Sequence, residues 1–262
     1  MIPYPDIDPE IVRVGPVAIR WYGLAYLLGF ATSFLLVKYQ IRKNGLKIKE
    51  DFIEALYTYA ILGLLFGSRL GYVIFYDLRS YLQHPLEIFA VWHGGMSYHG
   101  GLIGSVVCGV ICCRKFQIDP WKIIDLVIVT APIGQGILGR IANFINGELY
   151  GRATDVPWAM VFPKGGPLPR HPSQLYELFL EGVVLFSLLW VLKDRSFKSG
   201  VLTAIYIIAY GSFRFFVEFF REPDPQLGFI LGPFSMGQVL SFLMILAGMG
   251  MLHYRNKVRI SY

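Results

Sequence analysis

The chain has 262 residues, of which 55% are hydrophobic, with a formal net charge of +6 and a mean hydropathy of +0.51. Soluble domains are about 45–50% apolar, and here the excess is gathered into blocks of about twenty residues, the length of a membrane-crossing helix. The basic residues lie in short loops between these blocks and form no patch with exposed aromatic residues, which argues against a nucleic-acid partner.

The order of the apolar blocks predicts the architecture. The N-terminal stretch MIPYPDIDPE is acidic and lacks the basic segment of a cleaved signal peptide, so the first block is expected to stay as a span. Seven blocks follow along the chain, at about Val17–Tyr39, Phe52–Tyr76, Gly94–Cys113, Trp121–Phe144, Pro172–Leu192, Gly200–Phe220 and Phe234–Tyr254. We predict an all-α polytopic membrane protein, with residues 1–262 in one domain of seven transmembrane helices. The loops at about Asp77–His93 and Glu148–His171 would form a small cap.

The distribution of lysine and arginine predicts the orientation of these spans. Fourteen basic residues follow spans one, three, five and seven: Lys38, Arg42, Lys43, Lys47, Lys49, Arg114, Lys115, Lys122, Lys193, Arg195, Lys198, Arg255, Lys257 and Arg259. Seven lie on the other side: Arg13, Arg20, Arg79, Arg152, Lys164, Arg170 and Arg221. The side with fourteen is therefore predicted to be cytoplasmic, with the N-terminus outside and the C-terminus inside.

Several glycines recur at the spacing at which helix backbones pack closely in lipid. They are Gly63, Gly67 and Gly71 in the second block, and Gly100 and Gly104 in the third. Residues 134–139 also fit the dinucleotide-binding pattern G-x-G-x-x-G, but that pattern carries meaning only after a strand. Inside an apolar block, Gly134, Gly136 and Gly139 are interpreted as helix packing.

The three cysteines all lie in the third block, at Cys108, Cys112 and Cys113. A thiol in an apolar environment behaves as a small hydrophobic group, and an odd number of thiols argues against a disulfide framework. We interpret these residues as packing groups and predict no metal site.

Six ionisable residues are predicted at membrane depth, where an uncompensated charge costs several kcal/mol. They are Arg69, His99, Arg140, Glu148, Arg214 and Glu218, and all fall near the outward ends of their spans. Each alone could be an interfacial residue that extends its charge to water. Six such residues on one side of the membrane, contributed by four different spans, favour the interpretation that they line a shared polar cavity.

Two arginines in this set are suited to binding an anion. Tyr210, Arg214 and Glu218 are spaced four residues apart and therefore share one helix face. The Arg–Glu pair could simply neutralise itself, or the glutamate could hold the arginine towards a ligand. Arg140 likewise has Asn143 one turn away. Forked guanidinium donors match the oxygens of a phosphate, so a phosphate at headgroup depth is the favoured ligand.

The stretch HGGMSYHGG, from His93 to Gly101, offers a candidate base. Histidine is the side chain whose free pKa lies nearest neutrality, which suits it to accept a proton from a thiol or hydroxyl. His99 is the favoured residue because the two glycines after it leave space around the ring, whereas His93 lies closer to the loop.

The segments HGGMSYHGGLIG, GRIANFINGELYGR, RHPSQLYE and FRFFVEFFREPD, in this order, resemble the bacterial prolipoprotein diacylglyceryl transferases. The segments WYGLAYLLGF and GSRLGYVIFY match as well. The resemblance implies a multi-pass enzyme of the bacterial inner membrane that needs no cofactor. Together with the charge distribution, it predicts that the N-terminus lies in the periplasm. Such enzymes transfer the diacylglyceryl group of phosphatidylglycerol to the lipobox cysteine of a prolipoprotein signal peptide. Glycerol phosphate is released, and this is the first step of lipoprotein maturation.

The resemblance also implies roles for individual residues. The catalytic candidates are His99, Arg140, Tyr210 and Arg214. The candidates for binding phosphatidylglycerol are Tyr22, Arg140, Asn143, Glu148, Gly151 and Glu218. Arg69 is added to them because of its predicted position at membrane depth. One departure is that only KGGP, residues 164–167, separates WAMVFP from LPRHPSQLYE, where some relatives carry a long insertion. The outward cap is therefore expected to be small.

Three further classes of protein remain open on the residues alone. A transporter or channel would line an anion path with arginines, but here the charges lie on one side and no inverted repeat is seen. The second class is a headgroup transferase with a hydroxyl acceptor, and the third is a seven-span receptor with a polar ligand site.

Overall fold

A computed structural model describes residues 2–5, 7–15, 17–90, 94–223 and 228–257. His93 and Arg259 lie outside the described residues. The chain forms two compact units. The larger unit is Met1–Val37 with Ile124–Tyr262, and the smaller unit is Lys38–Ile123.

The described chain is mostly helical. Its helices are α1 (Trp21–Lys43), α2 (Glu50–Tyr76), α3 (Leu78–Gln83), α4 (Tyr98–Lys115), α5 (Pro120–Ile145), α6 (Ser173–Leu192), α7 (Val201–Val217) and α8 (Met236–Lys257). Within the described residues, five helices are long and apolar enough to cross a membrane: α1, α2, α5, α6 and α8. The polytopic class is therefore confirmed. Helix α4 ends on Arg114 and Lys115, and α7 has only 17 residues, so their assignment as spans stays a prediction.

Two short hairpins add strands to the predicted all-α fold. Strands β1 (Glu10–Val14) and β2 (Val17–Arg20) pair antiparallel just before α1, and β3 (Phe229–Leu231) pairs with β4 (Phe234–Ser235) just before α8. The first helix consequently begins at Trp21 and not at Val17, because the first four residues of the predicted block form a strand. Within the first hairpin, Arg13 donates a hydrogen bond to the Glu10 carboxylate at 2.7 Å, and this bond lowers the pKa of Glu10.

Helices α2 and α4 of the smaller unit pack through the predicted glycines. A Cβ atom built on Gly67 would collide with the Gly100 carbonyl oxygen and lie 2.9 Å from the Gly104 Cα. One built on Gly71 would lie 2.8 Å from the Gly100 Cα. Gly63 meets the Gly104 carbonyl in the same way. The prediction of close helix packing is therefore confirmed. On the same helix α4, Cys112 and Cys113 are buried free thiols.

The Gly67→Ala variant is expected to lower the free energy of unfolding by about 1–3 kcal/mol, because the added methyl group forces two backbones apart. Thermal unfolding in detergent measures the effect. Gly109→Ala on α4 is the matched control, since its nearest neighbour would be the Leu56 Cδ1 at 3.8 Å. An equal loss of stability in both variants would contradict the close packing at Gly67.

In the larger unit, α5 and α6 each contain a π-helical segment, at Pro132–Leu138 and Leu178–Val184. The two segments meet at Gly136 and Gly182, where a Cβ atom on Gly136 would lie 2.6 Å from the Gly182 Cα. Gly134 packs against α1, where a Cβ atom on Gly29 would lie 3.1 Å from the Gly134 Cα. The interpretation as helix packing is thus confirmed for Gly134 and Gly136, while a Cβ atom on Gly139 would meet only the Gly134 carbonyl of the same helix within the described residues. π-helical segments often mark functional sites; the first ends two residues before Arg140, and the second begins directly after Glu177.

The start of α7 is held by a buried carboxylate on α5. Asp125 accepts hydrogen bonds from the backbone N–H groups of Gly200 and Thr203, at 2.6 and 2.9 Å, and from the Thr203 hydroxyl at 2.6 Å. These bonds satisfy N–H groups that a helix start leaves unpaired. They also fix α7, which carries Arg214 in its last turn.

Candidate functional site

One buried carboxylate gathers three arginines in the larger unit. Glu177, in the first turns of α6, has a fully buried side chain. Its Oε1 accepts hydrogen bonds from Arg214 and Arg221, each at 3.0 Å. Its Oε2 lies 2.6 Å from the Arg140 Nε, whose N–H is not directed at it, so this contact is an ion pair without a hydrogen bond. Three guanidinium groups from separate parts of the chain therefore surround one side chain.

Two further glutamates complete this group. Glu181 lies one helical turn after Glu177, and its Oε2 is 3.4 Å from an Arg140 terminal nitrogen. Glu218, directly after α7, forms an ion pair with Arg214 at 2.7 Å. We call Arg140, Arg214, Arg221, Glu177, Glu181 and Glu218 the arginine–glutamate cluster. The cluster holds three arginines and three glutamates, and the pairing of opposite charges offsets part of the cost of burying them.

The two predicted arginines, Arg140 and Arg214, differ in the distances to their hydrogen-bond and ion-pair partners. Both terminal nitrogens of Arg214 have a carboxylate within 3.0 Å. Among the residues that the structure describes, the terminal nitrogens of Arg140 reach Asn143 Oδ1 at 3.5 Å and Glu181 Oε2 at 3.4 Å, the outer limit of hydrogen bonding. The terminal nitrogens of Arg140 are therefore held less firmly than those of Arg214, although the Arg140 Nε lies against Glu177 at 2.6 Å.

The predicted pairing of Arg214 with Glu218 is present, and β4 and α8 fix the glutamate. The Ser235 hydroxyl donates to Glu218 Oε1 at 2.9 Å. A Cβ atom on Gly237 would lie 2.5 Å from the same oxygen, so the carboxylate sits directly against the first turn of α8. The N-terminus of a helix favours a negative charge, which stabilises Glu218 in this position.

Asn143 and Glu148 link Arg140 to the loop after α5. The Asn143 side-chain amide accepts from Arg140 and donates to Glu148 Oε1 at 2.9 Å. Asn146 donates to the same oxygen at 3.2 Å, and Gln174 of α6 donates to the Glu148 backbone carbonyl at 2.7 Å. This chain of hydrogen bonds fixes the segment that carries the predicted residues.

Gly151 lies where three segments of the chain meet. Its N–H donates to the His171 carbonyl at 2.8 Å, and it forms a β-bridge with Arg221. A Cβ atom there would lie 2.7 Å from the His171 Cβ, so only glycine fits. His171 itself contacts the Tyr176 hydroxyl at 3.0 Å, and burial lowers the pKa of its ring. The contacts of Gly151 position Arg221, and its predicted part in lipid binding stays a prediction.

Two predicted tyrosines lie in the same unit. Tyr210 is one turn before Arg214 on α7, accepts a hydrogen bond from Gln135 of α5 at 3.2 Å, and stacks on Tyr206. Tyr22 lies in the first turn of α1, is 37% exposed, and packs its ring against Tyr26.

Arg69, in the smaller unit, has a different set of partners from the one predicted. Its guanidinium donates to the backbone carbonyls of Glu87, Ile88, Ala90, Gly94 and Gly95, at 2.6 to 3.4 Å. Its charge also lies over the Tyr81 ring. These contacts hold the segment before α4 in place, and the predicted binding of lipid by Arg69 stays a prediction.

His99 also belongs to the smaller unit, in the first turn of α4. The Ser97 side chain caps this helix by accepting from the Gly100 N–H at 3.2 Å. The His99 side chain is exposed, and its ring packs edge-to-face on Tyr98. The imidazole is thus accessible on a fixed helix end.

Sequence reasoning missed Glu177, Glu181 and Arg221 as members of the site. Both glutamates lie inside a predicted apolar block, so the criterion of a charge at membrane depth, applied to six other residues, would have found them. Arg221 was counted only as an outward loop charge. Its role follows from contact with Glu177, which no spacing along the chain reveals.

These features define a multi-pass membrane protein with a buried cluster of arginines and glutamates. A model of the family described as prolipoprotein diacylglyceryl transferase matches residues 9–254, and the chain belongs to this family. Curated proteins called phosphatidylglycerol–prolipoprotein diacylglyceryl transferase are similar over nearly the full length. Those of Desulfotalea psychrophila and Geobacter sulfurreducens are each 51% identical over 257 residues, covering 96% and 97% of this chain and 94% and 98% of their own. That of Nitrosomonas europaea is 50% identical over 257 residues, or 97% of this chain and 92% of its own.

Proposed function

We propose that this chain transfers the diacylglyceryl group of phosphatidylglycerol to the thiol of the lipobox cysteine of a prolipoprotein and releases glycerol phosphate. Membership of the family supports the reaction. The observation that carries the assignment of the site is the buried arginine–glutamate cluster, in which the described contacts of the Arg140 terminal nitrogens are long, at 3.4 and 3.5 Å.

The reaction exchanges one bond for another. The cysteine sulfur attacks the glycerol carbon that bears the phosphate, the carbon–oxygen bond breaks, and the oxygen leaves with the phosphate. The thiol proton passes to a base. The phosphodiester carries one negative charge and the leaving monoester gains a second, so guanidinium groups near this oxygen stabilise the transition state more than the bound lipid.

The proposal divides the roles among the predicted residues. Arg140 turns its forked donors to the phosphate, while Arg214, fixed by Glu177 and Glu218, supplies a second positive charge. Asn143 and Glu148 orient Arg140, and Tyr210 lies one turn from Arg214. His99, in the smaller unit, is the proposed acceptor of the thiol proton, because its side chain is exposed and histidine is suited to act as a base near pH 7.

The arrangement in the membrane is part of the proposal. Seven helices, including α4 and α7, would span the bacterial inner membrane, with the N-terminus in the periplasm and the C-terminus in the cytoplasm. The excess of lysine and arginine on one side supports this orientation. The segment between α5 and α6 would then form a small periplasmic cap beside the cluster.

Purified protein in bilayers that contain phosphatidylglycerol tests the reaction. A synthetic signal peptide with a lipobox cysteine should gain the mass of a diacylglyceryl group, and the Cys→Ser peptide should not. Addition to the serine peptide would indicate a hydroxyl acceptor. No addition to either peptide by folded protein would contradict the proposed function.

A further inference from the structure

Glu177 differs from the other two glutamates of the cluster in the number of arginines that it contacts. It contacts all three guanidinium groups, whereas Glu181 contacts Arg140 and Glu218 contacts Arg214. Its side chain is fully buried, while those of the three arginines are 13–18% exposed. The carboxylate therefore lies behind the arginines, on the side away from any ligand that reaches them.

We propose that Glu177 is the positioning residue of the headgroup site: a single buried carboxylate that sets the spacing and direction of Arg140, Arg214 and Arg221. This inference rests on the proposed function. Glu177 does not touch the lipid and acts through the arginines that do.

The contacts explain why one carboxylate can perform this task. Arg214 and Arg221 share Oε1, and Arg140 lies against Oε2, so the two oxygens divide the guanidinium groups between two sides. Without a negative charge between them, three cations at this distance would repel one another. The shared anion holds them close enough for a single phosphate to reach more than one.

The local fold fixes Glu177 itself. It is the fifth residue of α6, directly before the π-helical segment Leu178–Val184, whose Gly182 packs against Gly136 of α5. At the start of the same helix, Ser173 and Gln174 donate to the carbonyls of Leu149 and Glu148, at 2.9 and 2.7 Å. The carboxylate therefore has little freedom to follow an arginine that moves.

The inference extends the site to Arg221. The strand-like pairing of Arg221 with Gly151 fixes its backbone, and its guanidinium reaches the same carboxylate oxygen as Arg214. Arg221 thereby becomes a third positive charge for the headgroup.

The Glu177→Asp variant tests the positioning role because it keeps the charge and withdraws the carboxylate by one methylene group. The expected result is a folded enzyme with a melting temperature close to the wild-type value and kcat lower by about 10²-fold, as for an ångström-scale misplacement of catalytic groups. KM for the signal peptide should not change. Glu222→Asp is the matched control, since Glu222 forms an exposed ion pair with Arg170 at 2.9 Å, and it should keep wild-type kcat.

The Glu177→Gln variant provides a second test, since it keeps the length and removes the charge. A purely structural role would reduce the yield of folded protein and leave kcat per folded molecule unchanged. Wild-type kcat in either folded variant would overturn the inference while the proposed function stands. Absence of transfer by the wild-type enzyme would overturn the proposed function and this inference with it.

Discussion

The Arg140→Ala variant is expected to transfer the diacylglyceryl group about 10²- to 10³-fold more slowly than the wild-type enzyme, the loss typical of removing one donor to a developing negative charge. The loss should appear mainly in kcat, because the second charge on the phosphate develops only as the carbon–oxygen bond breaks. Initial rates of peptide modification at saturating phosphatidylglycerol measure it directly.

Two companion variants separate this effect from a general loss of positive charge. Arg140→Lys keeps the charge but loses the forked donors, so its rate should lie between those of the wild type and Arg140→Ala. Arg13→Ala removes an exposed arginine paired with Glu10 and should keep the wild-type rate. A wild-type rate in Arg140→Ala would contradict the role of Arg140 at the phosphate.

The His99→Ala variant is expected to lose about 10²- to 10⁴-fold in kcat near pH 7, the usual contribution of a general base. Its remaining activity should rise with pH, because the substrate cysteine, with a free pKa of about 8.5, then ionises without help. The wild-type enzyme should show a much smaller rise over the same range. Rates between about pH 6 and 9 give the comparison.

His84→Ala serves as the control for this variant, since His84 is an exposed histidine of the smaller unit that follows α3. It should retain the wild-type pH profile. Near wild-type turnover of His99→Ala across the full pH range would show that another group accepts the thiol proton.

Much of the fold was predictable because its causes lie within short stretches of the chain. Apolar blocks of about twenty residues identified the long helices, and glycine spacing identified the contact between α2 and α4. The pairing of Arg214 with Glu218 followed from their separation of one helical turn. Strand β2 was missed because the three apolar residues Val17–Ile19, followed shortly by a longer apolar block, look like the start of a helix.

The centre of the site was less predictable because it depends on contacts between distant residues. Glu177 meets Arg140 and Arg221 only after α5, α6 and the segment beyond α7 have packed together. For Arg69, in contrast, the predicted position at membrane depth suggested that the side chain binds a ligand. In the folded chain its guanidinium instead donates to backbone carbonyls of a loop about twenty residues away. Charge at membrane depth therefore indicates a buried partner without identifying it.

The most direct test of the proposed chemistry follows the oxygen that joins the diacylglyceryl carbon to phosphorus. Phosphatidylglycerol labelled with ¹⁸O at this position would be incubated with the enzyme and the cysteine peptide, and the products weighed by mass spectrometry. We predict that all of the label leaves in glycerol phosphate and that the peptide gains an unlabelled thioether. Label retained in free diacylglycerol, with no thioether formed, would place the cleavage at the phosphorus–oxygen bond and contradict the proposed function.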